Sequence, residues 1–412
     1  MSAVDLAERP KLDLTNPDTF VNGHPHDLYD EARSLTPVMR QPGSKTEHPF
    51  WALLRHADIA AVGADSENFT STKGFRVSTD NRASYDPEIG RVLSRFMLAM
   101  DDPEHAQYRK LVGAAFTPAG IRNIEPRVKA RVHDLFEKIK GRNEAEFVRD
   151  IAATVPIKTV CAILGVPEAD EDKVITWTDA VFGADDPELF KGPEEASRTY
   201  LSMFDYAMWL VAGKKKNPAD DLMSLLVHAE IGGRPLDDTE LKSYFSNLLA
   251  AGNETTRSSL AGAVWLLSRF PQQRDKLVAN PDLMANAVNE LLRHFSPVYQ
   301  MARVAKKDVE VGGTLVREGE KVALLYGAAN HDPEVFPDPH TLDIERPNAH
   351  RHLAFGIGPH FCLGSRLAQL QLRVILGELL ARYPRFEVVH GPVFLRGNFV
   401  QATKSLRIKL NA

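Results

Sequence analysis

Apolar positions keep a helical spacing over most of this chain, with alternation near the start and after Pro297. The longest helical run opens at Asp237. Asp237 and Glu240 stand at capping-box spacing, apolar residues recur from there to Phe270, and Pro271 stops them. About 33 residues at 1.5 Å each predict a helix of roughly 50 Å, enough to cross a whole domain. Its middle reads Ala251-Gly252-Asn253-Glu254-Thr255-Thr256. Gly252 weakens a helix by about 1 kcal/mol relative to Ala, which predicts a compensating use. Thr255 shares a stripe with Leu248 and Ala251, and its hydroxyl can bond back to a carbonyl one turn earlier. A second run (Leu363, Leu367, Leu370, Val374 and Leu379) follows a loop rich in Gly and Pro.

Shorter patterns fill the rest. His26 to Ser34 reads as a helix, Phe50 to Leu54 as a strand and Ala57 to Ala64 as a helix. Residues 72–97 lose periodicity, and long irregular segments in compact domains are usually functional. Residues 118–230 read as helices broken by Pro118, Pro167, Gly192-Pro193 and Asn217-Pro218. Tyr200, Phe204, Tyr206 and Trp209 read as core, and Lys214 to Lys216 as a solvated helix end. Val309 to Val316 predicts a hairpin turning on Gly312-Gly313. Residues 331–350, with Pro333, Pro337, Pro339 and Pro347, predict an irregular meander into the Gly-Pro loop.

The totals narrow the class. A length of 412 residues allows two or three domains, but no linker divides the chain, so one domain is expected over 1–412, with a flexible end over 1–10. The 43% apolar and 25% charged residues suit a soluble globular protein. A net charge of −5 and no dense basic tract argue against nucleic-acid binding. Two cysteines suggest a reducing, cytoplasmic setting. Met1 to Pro10 is polar, and no apolar run reaches about 18 residues, so no membrane anchor is expected.

Three clusters carry chemistry. Cys161 lies in an apolar run and reads as core, which leaves Cys362 as the thiolate candidate. Cys362 precedes a predicted helix, whose N-terminus lowers a thiol pKa only modestly; a metal would complete the deprotonation. In Asp101 to Lys110, Asp102 caps a helix and Pro103 suits its first turn, with His105 and Arg109 on one face. Two such donors suit a pair of carboxylates. Glu290 and Arg293, three apart, make a further pair on one helix face.

Phe355-Gly356-Ile357-Gly358-Pro359-His360-Phe361-Cys362-Leu363-Gly364 resembles the FGxGxHxCxG cysteine loop of the cytochrome P450 family. The resemblance covers the chain from about residue 10 and implies a mainly α fold with a small β region. Heme b (iron protoporphyrin IX) would lie between the long helix and the helix after the loop, with Cys362 as the iron's thiolate ligand. His105, Arg109, Arg303 and His360 match the propionate donors, and Glu254-Thr255 the acid–alcohol pair that manages protons. Glu290, Arg293 and Arg346 match a buried scaffold network. Phe75, Val77, Phe96, Met97, Phe182, Leu248, Ala251, Val298, Met301 and Phe399 are the pocket candidates. Gln369 and Gln371 depart from the family, which often carries charges there.

The function implied is hydroxylation, with O2, of a small hydrophobic molecule such as a terpenoid or steroid. Electrons would come from NAD(P)H through a reductase and a ferredoxin, with Lys110 and Arg366 able to dock an acidic partner. Arg76 or Arg82 could instead anchor a substrate carboxylate. Two other classes stay open, a peroxide-driven heme-thiolate enzyme and a non-catalytic heme sensor or carrier. The intact Glu254-Thr255 pair argues against the first.

Overall fold

The computed structural model describes residues 12–44, 47–77, 86–182, 186, 188–189 and 192–411, with backbone alone for 178–182. Its axis is the helix Asp238–Arg269. The predicted capping box closes its start: Asp237 Oδ1 accepts from Glu240 N at 2.9 Å, and Glu240 Oε2 accepts from Asp237 N at 2.8 Å. Twenty-two of its 32 residues are buried, so this helix has no solvent face over most of its length. Helices Thr154–Leu164, Pro193–Lys216, Met284–Phe295 and Ser365–Arg382 all pack on it.

Close packing explains the glycines. A Cβ on Gly252 would lie 2.5 Å from Val160 Cγ2, and one on Gly262 would lie 2.2 Å from the Phe295 ring. Both distances are far inside van der Waals contact. The compensating use of Gly252 is therefore the approach of helix Thr154–Leu164.

A mixed sheet flanks the helices, in the order Val38–Gln41, Phe50–Leu53, Lys321–Leu325, Gln300–Ala305, Phe69–Thr70. Its pairs are antiparallel except Lys321–Leu325 with Phe50–Leu53. The hairpin forms with strands Val309–Val311 and Thr314–Val316. A three-stranded sheet joins Glu387–Phe394, Thr403–Lys409 and Glu144–Glu146.

Four local expectations need correction, the first being Trp209, which reads as core but is 57% exposed. Within 72–97 a helix, Pro87–Ser94, forms; Asp86 caps it, and Ile89, Val92 and Leu93 bury one face. Lys214 is not solvated but pairs with Asp221, with its side chain 14% exposed. Glu144–Glu146 forms an edge strand, because Ala145 alone needs burial and its neighbours face outward.

The residues expected to brace the core form a closed ionic network. Glu290 takes Arg293 in a bidentate pair, Nε at 2.7 Å and the second nitrogen at 2.8 Å. Arg346 Nε reaches Glu290 Oε1 at 3.1 Å. The remaining guanidinium donors of both arginines go to carbonyls of Asn330, Pro337, Asp338, Pro339 and Thr341. Two charges and a carboxylate thus tie the irregular meander to helix Met284–Phe295. Glu290→Ala strands both guanidiniums away from water and is expected to cost on the order of 3–5 kcal/mol. Urea unfolding measures it; a loss below about 1 kcal/mol would show the network to be dispensable.

Beside it lies a histidine seam. The rings of His26 and His331 stand 3.9 Å apart, His294 is 5.1 Å from His331, and His24 is 5.5 Å from His26. Burial is the main cause that holds His24 and His294 down at about 4, and His26 and His331 well below 6.5. Arg293 adds repulsion to all but His24, and His340, paired with Asp30 at 2.7 Å, completes the surroundings. The folded protein keeps these rings neutral, while the unfolded chain takes up protons below pH 6.5. Stability should therefore be level above pH 6.5 and fall from there toward pH 4. The slope is about 1.4 kcal/mol per pH unit for each histidine still neutral in the fold. Urea midpoints between pH 8 and 5 test this, and a flat profile sinks it.

Candidate active site: a cysteine cavity with four cationic or imidazole donors

The loop before helix Ser365–Arg382 is shaped by glycine. Gly356 and Gly358 adopt φ of +69° and +71°. A Cβ on Gly358 would lie 2.5 Å from Gly63 O, so a side chain is excluded there. Cys362 N donates to Phe355 O at 2.8 Å, which folds the loop back on itself. The Cys362 side chain opens onto an internal cavity of about 340 Å³. Burial pushes its thiol up, while the Gly364 N–H and the Arg109 charge pull the other way. The net direction is upward, contrary to the modest lowering that a helix N-terminus alone predicts. Desolvation outweighs one N–H and one distant charge. Burial thus favours the thiol form of Cys362, and a bound metal would favour the thiolate.

Four donors come together at the same cavity from three parts of the chain. His105 and Arg109 come from helix Glu104–Gly113, Arg303 from strand Gln300–Ala305, and His360 from the cysteine loop. Asp102 accepts from Ala106 N at 3.0 Å, in the capping role its type predicts. The His105 and His360 rings stand 4.3 Å apart. Burial drives His105 below 6.5 and His360 to about 3, with Arg303 and Arg109 adding repulsion at both. His360 Nε2 lies 3.2 Å from Ser71 Oγ. Arg303 is 6% exposed and donates to its neighbour's carbonyl, Ala302 O, at 2.8 Å. Neither Arg109 nor Arg303 has a carboxylate in ion-pair contact among the described residues. A buried guanidinium and a half-buried one without a paired carboxylate are costly, and an anionic ligand with two carboxylates matches them.

The long helix supplies another wall, with Ala251, Gly252 and Thr255. Thr255 Oγ1 donates to Ala251 O at 3.1 Å, the back-bond its position predicts. Glu254 is elsewhere. It is fully buried, accepts from Arg257 and from Ser258 Oγ at 3.0 Å, and is not on the cavity wall. Adjacent residues on a helix point about 100° apart, so Thr255 and Glu254 cannot share one face.

Phe75, Phe96, Met97, Leu248, Ala251, Val298, Met301 and Phe399 line the cavity. Val77 does not. It packs into a separate cluster with Phe20, Tyr29, Phe50 and Tyr299, two residues along from Phe75 in an extended loop. The Phe182 side chain and Arg82 lie outside the described residues. Reading the sequence missed Asn247 and Gln371, both on the wall. Asn247 stood one turn before Ala251 on a stripe already singled out. Gln371 stood two turns beyond Gly364, where a missing charge was noticed but not an inward direction.

The family model described as Cytochrome P450 matches residues 202–410. Linalool 8-monooxygenase of Pseudomonas putida is 36% identical over 409 residues, 98% of this chain and 99% of that one. The chain belongs to the cytochrome P450 family. The methyl-branched lipid omega-hydroxylase of Mycobacterium tuberculosis is 34% identical, over 91% of this chain and 87% of that protein. Among solved structures, Mycobacterium marinum cytochrome P450 CYP268A2 in complex with pseudoionone matches with a TM-score of 0.87 and 36% identity. It covers 93% of this chain and 94% of that one. The protein is thus a P450 monooxygenase, a heme enzyme with the P450 fold that uses O2 and a redox partner. Among the described residues no helix is long and apolar enough to cross a membrane.

The donor set fits heme, with a thiol for the metal and charged donors for two carboxylates. Charge-assisted hydrogen bonds contribute about 1.5–3 kcal/mol each. Arg109→Leu and Arg303→Leu are therefore each expected to speed heme loss to a scavenging apoprotein by roughly tenfold or more. Unchanged loss rates in both variants would refute this role.

Proposed function

We propose that this P450 hydroxylates a small hydrophobic molecule of terpenoid or branched-lipid type. Electrons come from NAD(P)H through a ferredoxin reductase and a ferredoxin. The carrying observation is that Cys362, the Arg109–Arg303 end and Thr255 all open onto one cavity with an apolar lining. The relatives named for linalool and methyl-branched lipids, and the structure holding pseudoionone, support the same class of substrate.

Heme b, when bound, supplies the reduction of O2 and the insertion of one oxygen atom into a C–H bond. Cys362 holds its metal and gives up the thiol proton on doing so, since the free thiol is protonated near neutral pH. Arg109 and Arg303, with His105 and His360, clamp its carboxylates. Burial and the two arginines lower both imidazoles, which would act as hydrogen-bond donors there. Thr255 lines the cavity, and its hydroxyl, which donates to Ala251 O, can still accept from a water. There it holds a water and passes a proton to the oxygen side of the reaction. Glu254 feeds that position from behind. To do so it must leave Arg257 and Ser258 and swing round the helix, so proton supply is gated by an ion pair. Exposed Lys110 and Arg366 offer positive charge for an acidic ferredoxin.

The reading is tested by reconstitution with a ferredoxin and its reductase. Expected are substrate-dependent NADH use and a product carrying one oxygen atom from labelled O2. Thr255→Ala should keep NADH consumption within about threefold while most of the reducing power leaves as hydrogen peroxide. A Thr255 variant as well coupled as the wild type removes the proton role. In the reduced carbon monoxide complex the wild type should show a strongly red-shifted Soret band, and Cys362→Ala should lose it. Product formed with peroxide alone, and none with electrons, would overturn the monooxygenase reading.

A further inference from the structure

The cavity wall carries a polar side chain that heme binding does not use. Asn247 sits on the long helix at four-residue spacing from Ala251, which is four from Thr255. The three share a stripe, and Asn247 lies about 6 Å and 12 Å along the axis from the other two. Its side chain is 5% exposed and lines the cavity. It makes no hydrogen bond among the described residues. Its helical neighbours on the wall are different. Ser246 Oγ donates to Lys242 O at 2.8 Å, and Ser259 Oγ donates to Thr255 O at 2.7 Å. Those hydroxyls are satisfied by their own helix; the Asn247 amide is not, and it shares the cavity wall with Leu248, Met97 and Phe96.

A buried amide presents an acceptor and two donors, and leaving all of them unmet is unfavourable. The matching ligand group is a neutral oxygen that can accept, or both accept and donate. A carboxylate is less well served. Of the arginines on the wall away from the propionate donors, the Arg76 guanidinium lies 4.3 Å over the Phe399 ring and Arg396 Nε donates to Asp18 at 2.6 Å.

We propose that Asn247 is a specificity-determining residue that binds a hydroxyl or carbonyl oxygen of the substrate. The substrate class is thereby narrowed to apolar molecules with one neutral oxygen near one end, oxidised at carbons remote from it. This rests on the monooxygenase reading above and deepens it. Its physical basis is an asymmetry. A site built to hydrogen-bond an oxygen rejects the analogue lacking it far more strongly than an apolar pocket rejects an added hydroxyl.

The test uses the heme-loaded enzyme and matched probes: linalool against myrcene, pseudoionone against a C13 hydrocarbon of the same branching, and geranic acid as the carboxylate. Spectral titration should show at least one oxygenated probe binding tenfold or more tighter than its hydrocarbon partner. Asn247→Leu, similar in size, should reduce that preference below threefold without weakening the hydrocarbon. It should also scatter the position of oxidation, which in the wild type falls away from the oxygen. The carbon monoxide spectrum of the variant reports whether its heme site is intact; if leucine disturbs it, Asn247→Ala is measured in the same way. The inference is overturned if no pair shows the preference, if the variant keeps it, or if geranic acid binds tightest. Failure of the monooxygenase reading is seen separately, as a wild type that yields no oxygenated product from any probe.

Discussion

A buried and a half-buried positive charge, neither in an ion pair with a carboxylate among the described residues, set the terms of this structure. Arg109 and Arg303 come from a helix and a strand nearly two hundred residues apart in sequence, yet face the same cavity as Cys362. Desolvation works against both guanidiniums. Such an arrangement persists only if the surrounding fold is rigid enough to hold it, or if a ligand completes it. Heme, which the family implies, would bring the missing carboxylates, and the network of Glu290, Arg293 and Arg346 ties the meander before the cysteine loop to helix Met284–Phe295. The two ionic sites differ in kind: the network is closed by its own glutamate and by backbone carbonyls, while the cavity site is left open for a partner.

The long helix divides its work by face. Toward the cavity it presents small and hydroxylated groups, Ala251, Gly252 and Thr255, with Asn247 one turn earlier. Away from it, Glu254 and Arg257 form a buried pair that reaches the C-terminal sheet through Ser258, whose hydroxyl accepts from Thr403 N at 2.9 Å. A proton donor sequestered in an ion pair releases protons only when the pair opens. That separation keeps a charged acid off the cavity wall, and under the proposed proton role it would make proton supply a conformational event. The glycines serve packing: Gly252 admits Val160, and Gly262 admits the Phe295 ring.

Much of this was legible in the chain itself. The capping box at Asp237 and Glu240, the stop at Pro271, the Gly312-Gly313 hairpin and the spacing of Glu290 to Arg293 depend on neighbours within a few residues. The cysteine loop is local too, since its glycines and its cysteine act within ten positions. What escaped was direction. Val77 and Phe75 are two apart in an irregular loop, and without a regular period nothing in the sequence says which of them turns inward. Glu254 and Thr255 were read as one functional pair, although helix geometry sends adjacent side chains to different faces. The direction of the Cys362 thiol shift was also beyond local reading, because desolvation depends on atoms brought from distant segments.

The sequence by itself determined the family and singled out Cys362 as the candidate thiol, because both are written in short-range patterns. The tertiary structure alone decided which polar groups face the cavity, which are consumed by one another, and which are left for a ligand. Glu254 is held by Arg257, Gln371 is turned inward, and Asn247 is left without a partner among the described residues. The physical reason is that a hydrogen bond's partner and a charge's desolvation are properties of the assembled interior. No residue carries them alone.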